Sequence, residues 1–181
     1  MKPALQGSLL LVDDEAPIVR ALHRALRGPL GSLVTIVTCC SGADALTELR
    51  ARRFDVIVSD LRMPNMGGME LLAAAADIQP GCVRMILTGT ADFATAQAAV
   101  NQFGLYRYLT KPWEPDELAH HVASAMAFSL AQRAQRHQAT QWVASQVGAE
   151  ELERRRLEAL EPGITQVEWD EQGCVILPLV D

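Results

Sequence analysis

Asp55-Val56-Ile57-Val58-Ser59-Asp60-Leu61-Arg62-Met63-Pro64-Asn65-Met66-Gly67-Gly68-Met69-Glu70 begins as a short apolar run that stops at an acidic residue. Pro64, Gly67 and Gly68 then mark a loop, and a helical pattern restarts at Met69. A buried parallel strand reads this way when it delivers one carboxylate to the edge of a sheet. Asp60 is therefore the residue around which the rest of the chain is read.

The same punctuation recurs on both sides of this stretch. Ser8 to Val12 reads as a first strand ending at Asp13-Asp14-Glu15, and Pro17 sits where the first turn of a helix tolerates a missing N–H. That helix is expected to run through Arg27, with Gly28-Pro29 and Gly31 breaking it. Leu33 to Thr38 is β-branched and predicts strand two; Ser41 to Asp44 opens helix two. Strand three covers Val56 to Val58, and helix three runs from about Gly68 to Ile78. Strand four covers Val83 to Leu87, helix four Phe93 to Gln102, and strand five Leu105 to Leu109. Helix five starts near Pro115. Five strand–helix alternations with no hairpin among them call for an α/β fold: a doubly wound parallel sheet with right-handed crossovers.

The 181 residues are 49 % hydrophobic and 21 % charged, with a net charge of -6, the composition of a globular protein. An acidic chain gives no global electrostatic case for nucleic acid or an anionic membrane. No stretch approaches a membrane span or a signal-peptide core, so a cytoplasmic location is expected. Cys39, Cys40, Cys82 and Cys174 have no metal-ligand spacing and read as reduced thiols. Cys39 and Cys40 point to opposite faces if they lie on a strand.

Beyond Ala127 the texture changes. Ala131 to Gln141 is nearly free of large apolar residues, Trp142, Val143 and Val147 form a short patch, and Gly148 weakens the helix. Ala149 to Leu160 is helical again, with Glu150/Arg154 and Glu151/Arg155 in the favourable order. Pro162-Gly163 stops it, and Ile164 to Val180 reads as a hairpin around Asp170-Glu171-Gln172-Gly173. The expected division is 1–127, a helical extension 128–161 and a hairpin tail 162–181. The extension and hairpin are expected to serve as a dimerisation or partner-docking device. No nucleic-acid module is recognisable among them.

In an open α/β sheet, ligands bind at the carboxyl ends of the strands. Those ends carry Asp13 and Asp14, Asp60, Thr88 and Lys111. Clustered carboxylates repel unless a cation is present, and oxygen-only donors suit Mg²⁺. A carboxylate can attack a phosphoryl group, while an ammonium and a hydroxyl neutralise the spread charge. Taken singly, each residue has a plainer reading: Asp13-Asp14 as an acidic pair at a helix start, Asp60 as a turn residue, Thr88 as a cap, Lys111 as an exposed strand end. Their placement at four of five strand ends favours a joint role.

The motifs Val12-Asp13-Asp14-Glu15, Val58-Ser59-Asp60-Leu61-Arg62-Met63-Pro64, Leu87-Thr88-Gly89 and Leu109-Thr110-Lys111-Pro112 closely resemble, in order and spacing, the receiver domain of two-component response regulators. The resemblance covers about residues 5–127. It implies a flavodoxin-like (βα)5 fold with strand order 2-1-3-4-5, Asp60 as phosphoacceptor, and a sensor histidine kinase as donor. It also implies Mg²⁺ held by Asp13, Asp14, Asp60 and the main-chain carbonyl of Arg62. Thr88 and Lys111 would contact the phosphoryl group, and Tyr108 matches the aromatic switch position of a helix four–strand five–helix five face. The Arg62 side chain either steers loss of the phosphoryl group or is an exposed loop arginine. Lys111-Pro112-Trp113 resembles receivers joined to HD-GYP phosphodiesterase or hydrogenase-type regulatory outputs more than those joined to winged helices.

The implied role is signalling, not enzymatic turnover. Two alternatives are an Mg²⁺-dependent phosphohydrolase using an aspartyl phosphate, disfavoured because Asp60-Leu61-Arg62 lacks a second acid, and a phosphorylation-independent scaffold, disfavoured by the intact Asp, Thr and Lys set. Trp113, Trp142 and Trp169 read as packing residues. His23, His120, His121 and His137 read as solvated helix histidines, and Arg133, Arg136 and Arg154 to Arg156 as solvated faces.

Overall fold

The computed structural model describes residues 7–89, 104–160, 168–169 and 175–176; the expected fourth helix lies outside them. The elements in chain order are β1 (Gly7–Val12), α1 (Ala16–Leu30), β2 (Val34–Cys39), α2 (Gly42–Ala51), β3 (Val56–Asp60), α3 (Gly68–Ile78), β4 (Val83–Gly89), β5 (Arg107–Lys111) and a long helix, α4 (Pro115–Leu160). Two short strands follow, β6 (Glu168–Trp169) and β7 (Val175–Ile176). The chain forms two compact units, Met1–Ala134 and Gln135–Asp181.

In the first unit, five parallel strands lie in the order β2-β1-β3-β4-β5. This is the flavodoxin-like sheet implied by the resemblance. Side chains alternate across each strand, and the core divides accordingly. Leu9 and Leu11, Val56 and Val58, Met85 and Leu87 meet Leu22 and Leu26 of α1 and Leu118, Val122 and Met126 of α4. Leu10 and Val12, Ile57 and Ile86 meet Ala45 and Leu49 of α2 and Leu71 and Leu72 of α3. Both faces of the sheet are thus covered, as continuous Leu/Val/Ile strands require.

Several boundaries differ from the sequence pattern, each for a physical reason. Helix α1 runs through Gly28-Pro29 to Leu30, because Leu30 is buried on the core and Pro29 falls in the last turn, where its missing N–H costs one bond. Gly31, at φ +80, ends the helix, and its N–H donates to the Gly28 carbonyl at 3.2 Å. Strand β2 is shifted one residue onward, leaving Leu33 54 % exposed. Strands β3, β4 and β5 reach Asp60, Gly89 and Lys111 because the ladder continues past the apolar runs, pairing Thr88 with Thr110 and Gly89 with Lys111. Ser41 caps α2 as expected, accepting from the Asp44 N–H at 3.1 Å.

The thiols divide as alternation predicts: Cys39 is buried and Cys40 exposed, and both are free, as is buried Cys82. Burial pushes the Cys39 thiol up to about 11 and the Cys82 thiol to about 12. Trp113 is partly buried against the α1/α4 side of the core. Trp142 is not a packing residue among the described residues: it is 65 % exposed, and its helical neighbours Gln138 and Ala139 are exposed too and give it no cover. The side chain of Trp169 lies outside the described residues.

In the second unit, Gln135 to Leu160 of α4 is helical throughout, across Gly148. Glu151 pairs with Arg154 and Arg155, both at 2.9 Å, and these two guanidiniums hold its carboxyl down at about 2. The expected Glu150 partner lies outside the described side chains. Strands β6 and β7 pair antiparallel, Glu168 with Ile176 and Trp169 with Val175. Among the described residues, no helix is long and apolar enough to cross a membrane.

Candidate functional site

Register brings the acidic residues together. Val12 lies opposite Ser59, so Asp13 and Asp60, one residue further along, leave neighbouring strands side by side. Asp60 is in turn opposite Leu87 of β4, and Lys111 is opposite Gly89. Four strands thus deliver Asp13, Asp60, Thr88 and Lys111 to one rim of the sheet.

Asp13 and Asp60 are both buried, at 0 % and 6 % exposure. The Lys111 ammonium donates to both, reaching Asp13 Oδ2 at 2.6 Å and Asp60 Oδ1 at 2.5 Å. Each carboxylate has its other oxygen tied to the chain just after it. The Glu15 N–H donates to Asp13 Oδ1 at 2.9 Å, and the Arg62 N–H donates to Asp60 Oδ2 at 2.6 Å. The loop behind Asp60 is fixed by Leu61 N–H to the Leu87 carbonyl (3.0 Å) and Gly68 N–H to the Leu61 carbonyl (2.9 Å).

Burial pushes the Asp13 carboxyl above the ordinary aspartate range, against the lowering hydrogen bonds from Lys111 and Glu15. Burial works against the Lys111 charge as well. Its hydrogen bonds to Asp13 and Asp60 outweigh that, so its pKa is raised. One ammonium shared by two buried carboxylates is the electrostatic centre of the site.

Asp14 is exposed. Together with Glu15, Asp60, Leu61, Arg62, Gly89 and Lys111, it lines a cavity of about 330 Å³ that opens on the Asp60 carboxylate. Thr88 is buried at the rim, but its hydroxyl donates to the Gly89 carbonyl at 3.2 Å, and Thr88 does not line the cavity. Tyr108 is half-buried on β5 and packs on the α2/α3 side of the core. Arg62 is exposed at the cavity wall.

The donors around Asp60 are oxygens, the chemistry a hard divalent cation takes. Among the described residues, no three acidic, histidine or cysteine side chains are gathered to hold a metal ion. The Lys111 ammonium bridges Asp13 and Asp60. The carboxylates of Asp14 and Asp60 on the cavity wall fit such a cation in type.

Glu15, Gly89 and Gly68 stand in the quoted motifs and loop with no role assigned to them. Glu15 and Gly89 line the cavity, and their signal was only adjacency to the strand ends. Gly68 lies so close behind Asp60 that a Cβ there would run into the Asp60 carbonyl oxygen. The Gly67-Gly68 pair signalled a loop, not this approach. Of the histidines, His121 is partly buried between Arg107 (3.1 Å) and Glu117 (3.4 Å), while His120 and His137 are exposed.

Residues 9–123 match the family model of the response regulator receiver domain, and this chain belongs to that family. Its members are the phosphoacceptor signalling domains of two-component systems. The hydrogenase transcriptional regulatory protein HoxA of Bradyrhizobium diazoefficiens is 36 % identical over 124 residues, 68 % of this chain and 24 % of that protein. The transcriptional regulatory protein GlrR of Escherichia coli is 38 % identical over 125 residues, 69 % of this chain and 27 % of that protein. This chain thus spans about a quarter of the length of these relatives. A solved signal receiver domain of an HD domain-containing protein from Pseudomonas fluorescens matches with a TM-score of 0.65 at 30 % identity, covering 74 % of this chain and 96 % of that one.

Proposed function

We propose that this protein accepts a phosphoryl group on Asp60 from a sensor histidine kinase in the cytoplasm. The carrying observation is the state of the Asp60 carboxylate: one oxygen held by the Arg62 N–H, the other by the Lys111 ammonium, at the foot of an open cavity. A carboxylate fixed at both oxygens is oriented for in-line attack. Asp13, Asp14, Asp60 and the Arg62 carbonyl would hold Mg²⁺, which supplies neutralisation of the phosphoryl oxygens when bound. Lys111 would follow the new negative charge, exchanging one carboxylate contact for a phosphoryl oxygen. The Thr88 hydroxyl would leave the Gly89 carbonyl for another phosphoryl oxygen, and Tyr108 would turn into the space behind it. That rearrangement shifts a two-state balance only by its differential stabilisation of the two states.

The test is phosphoryl transfer from acetyl phosphate with Mg²⁺. A hydroxylamine-labile adduct is expected on the peptide carrying Asp60 and is expected to vanish in Asp60→Asn. Unchanged labelling of that variant would sink the assignment.

We further propose that the receiver ends near residue 127, that 128–161 is a helical extension and that 162–181 is a hairpin tail. The output would be self-association or docking of a partner protein through the extension and hairpin. Its support is the exposure of Trp142 (65 %), Val143 (53 %) and Leu160 (74 %) along one helix. Sedimentation of the full chain beside a Trp142→Ser/Leu160→Ser double variant should show loss of the larger species. An identical profile, or a monomer in both, would argue against self-association through this helix.

A further inference from the structure

The last two turns of α4 within the first unit are held to the sheet by little apolar burial. Leu118, Ala119, Val122, Ala125 and Met126 are buried. Beyond Met126 the only buried residue among those described is Ser129, and Phe128 is 44 % exposed. Two contacts of this stretch reach the start of the sheet. The Phe128 ring lies 5.2 Å from that of Tyr106, just ahead of β5. Arg133 Nη1 donates to Asp55 Oδ1 at 3.2 Å, just ahead of β3. Both contacts lie at the end of the sheet opposite the Asp60 rim.

Asp55 is prepared for this contact. It is 8 % exposed, and its other oxygen, Oδ2, accepts from the Ser8 N–H at 2.9 Å and the Ser8 hydroxyl at 3.4 Å. Gly7 leaves room for it: a Cβ at Gly7 would lie 2.7 Å from Asp55 Oδ2. Oδ1 therefore faces Arg133 from a carboxylate that the start of β1 already fixes. A helix turn with little tertiary cover is marginal in water, so an oriented ion pair adds to the docking of residues 127–134.

We infer that Asp55 and Arg133 form an ionic latch that docks residues 127–134 on the receiver, and that its opening releases these two turns while the sheet stays folded. The latch makes the junction with the rest of the helix a locally openable element, and it requires no phosphorylation of Asp60.

The test is amide hydrogen exchange on the full chain. Arg133→Gln should speed exchange over 127–134 by about 3–5-fold, the upper range for a partly exposed ion pair, with β1 and β3 unchanged. In an Asp55→Asn background, which keeps an acceptor for Ser8, the Arg133→Gln change should add nothing. Added salt should speed exchange there in the wild type but not in Arg133→Gln, because screening acts on the pair. Unchanged exchange in Arg133→Gln, equal acceleration across the sheet, or full additivity of the two substitutions would overturn the latch.

Discussion

Replacing Lys111 with methionine is expected to lower the thermal midpoint at pH 7 by about 7 °C, from a loss of about 2 kcal/mol. The figure lies below the range for breaking a fully buried pair because the Lys111 side chain is 21 % exposed. Methionine keeps most of the aliphatic stem but leaves Asp13 and Asp60 facing each other without a cation. Lys111 has a raised pKa in the folded state, so its contribution is fully present below the ordinary lysine value of 10.5 and is lost as pH rises through the raised one. The variant has its own acid dependence. Asp13, already raised by burial, becomes easier to protonate without Lys111, and protonation removes the repulsion. The gap between wild type and variant should therefore narrow as pH falls through the carboxylate range. Melting curves from pH 4 to pH 8 check this; a constant gap would assign the loss to packing alone. Labelling from acetyl phosphate should also slow by about 100-fold, the scale for losing one group that stabilises charge in a transition state.

Gly68→Ala should be the most damaging small substitution near the site. Its Cβ would fall on the Asp60 carbonyl oxygen and also lie 2.9 Å from the Asp60 carbonyl carbon and 3.1 Å from Leu61 Cα. All three are backbone atoms of the segment that carries Asp60, so no side chain can move aside. Relief requires displacing Asp60 or the start of α3, at about 3 kcal/mol and about 10 °C in the midpoint. Because the Gly68 N–H also anchors the Leu61 carbonyl, labelling should fall even where the variant is still folded. Gly67→Ala is the control, since a Cβ there meets only the Leu61 carbonyl at an ordinary 3.6 Å. Equal behaviour of the two variants would refute the steric argument.

The parallel sheet was legible because each strand is an apolar run closed by polar punctuation, and the site residues stand at those closures. Strand lengths were less legible. Thr88, Thr110 and Lys111 belong to strands through ladder pairing, which hydrophobicity does not encode. The two-sided bridge made by Lys111 could not be read either, since it joins residues from opposite ends of the domain. Arg133 looked like a solvated arginine because its partner, Asp55, is remote in sequence. Trp142 looked like a packing residue because size and apolarity suggest burial, whereas burial needs a neighbour. Gly68 carried a signal for a turn, and only the closeness of two backbones turned it into a constraint on Asp60.

The bridge between Lys111 and Asp13 spans 98 residues, and it closes a site whose parts leave the ribosome at widely separated times. In a chain lacking β5, Asp13 and Asp60 would stand side by side without the counter-charge of Lys111. Two such carboxylates would resist desolvation and favour an open rim until Lys111 joins them. Placing β5 beside β4 thus completes the sheet and supplies the counter-charge of the rim in one step.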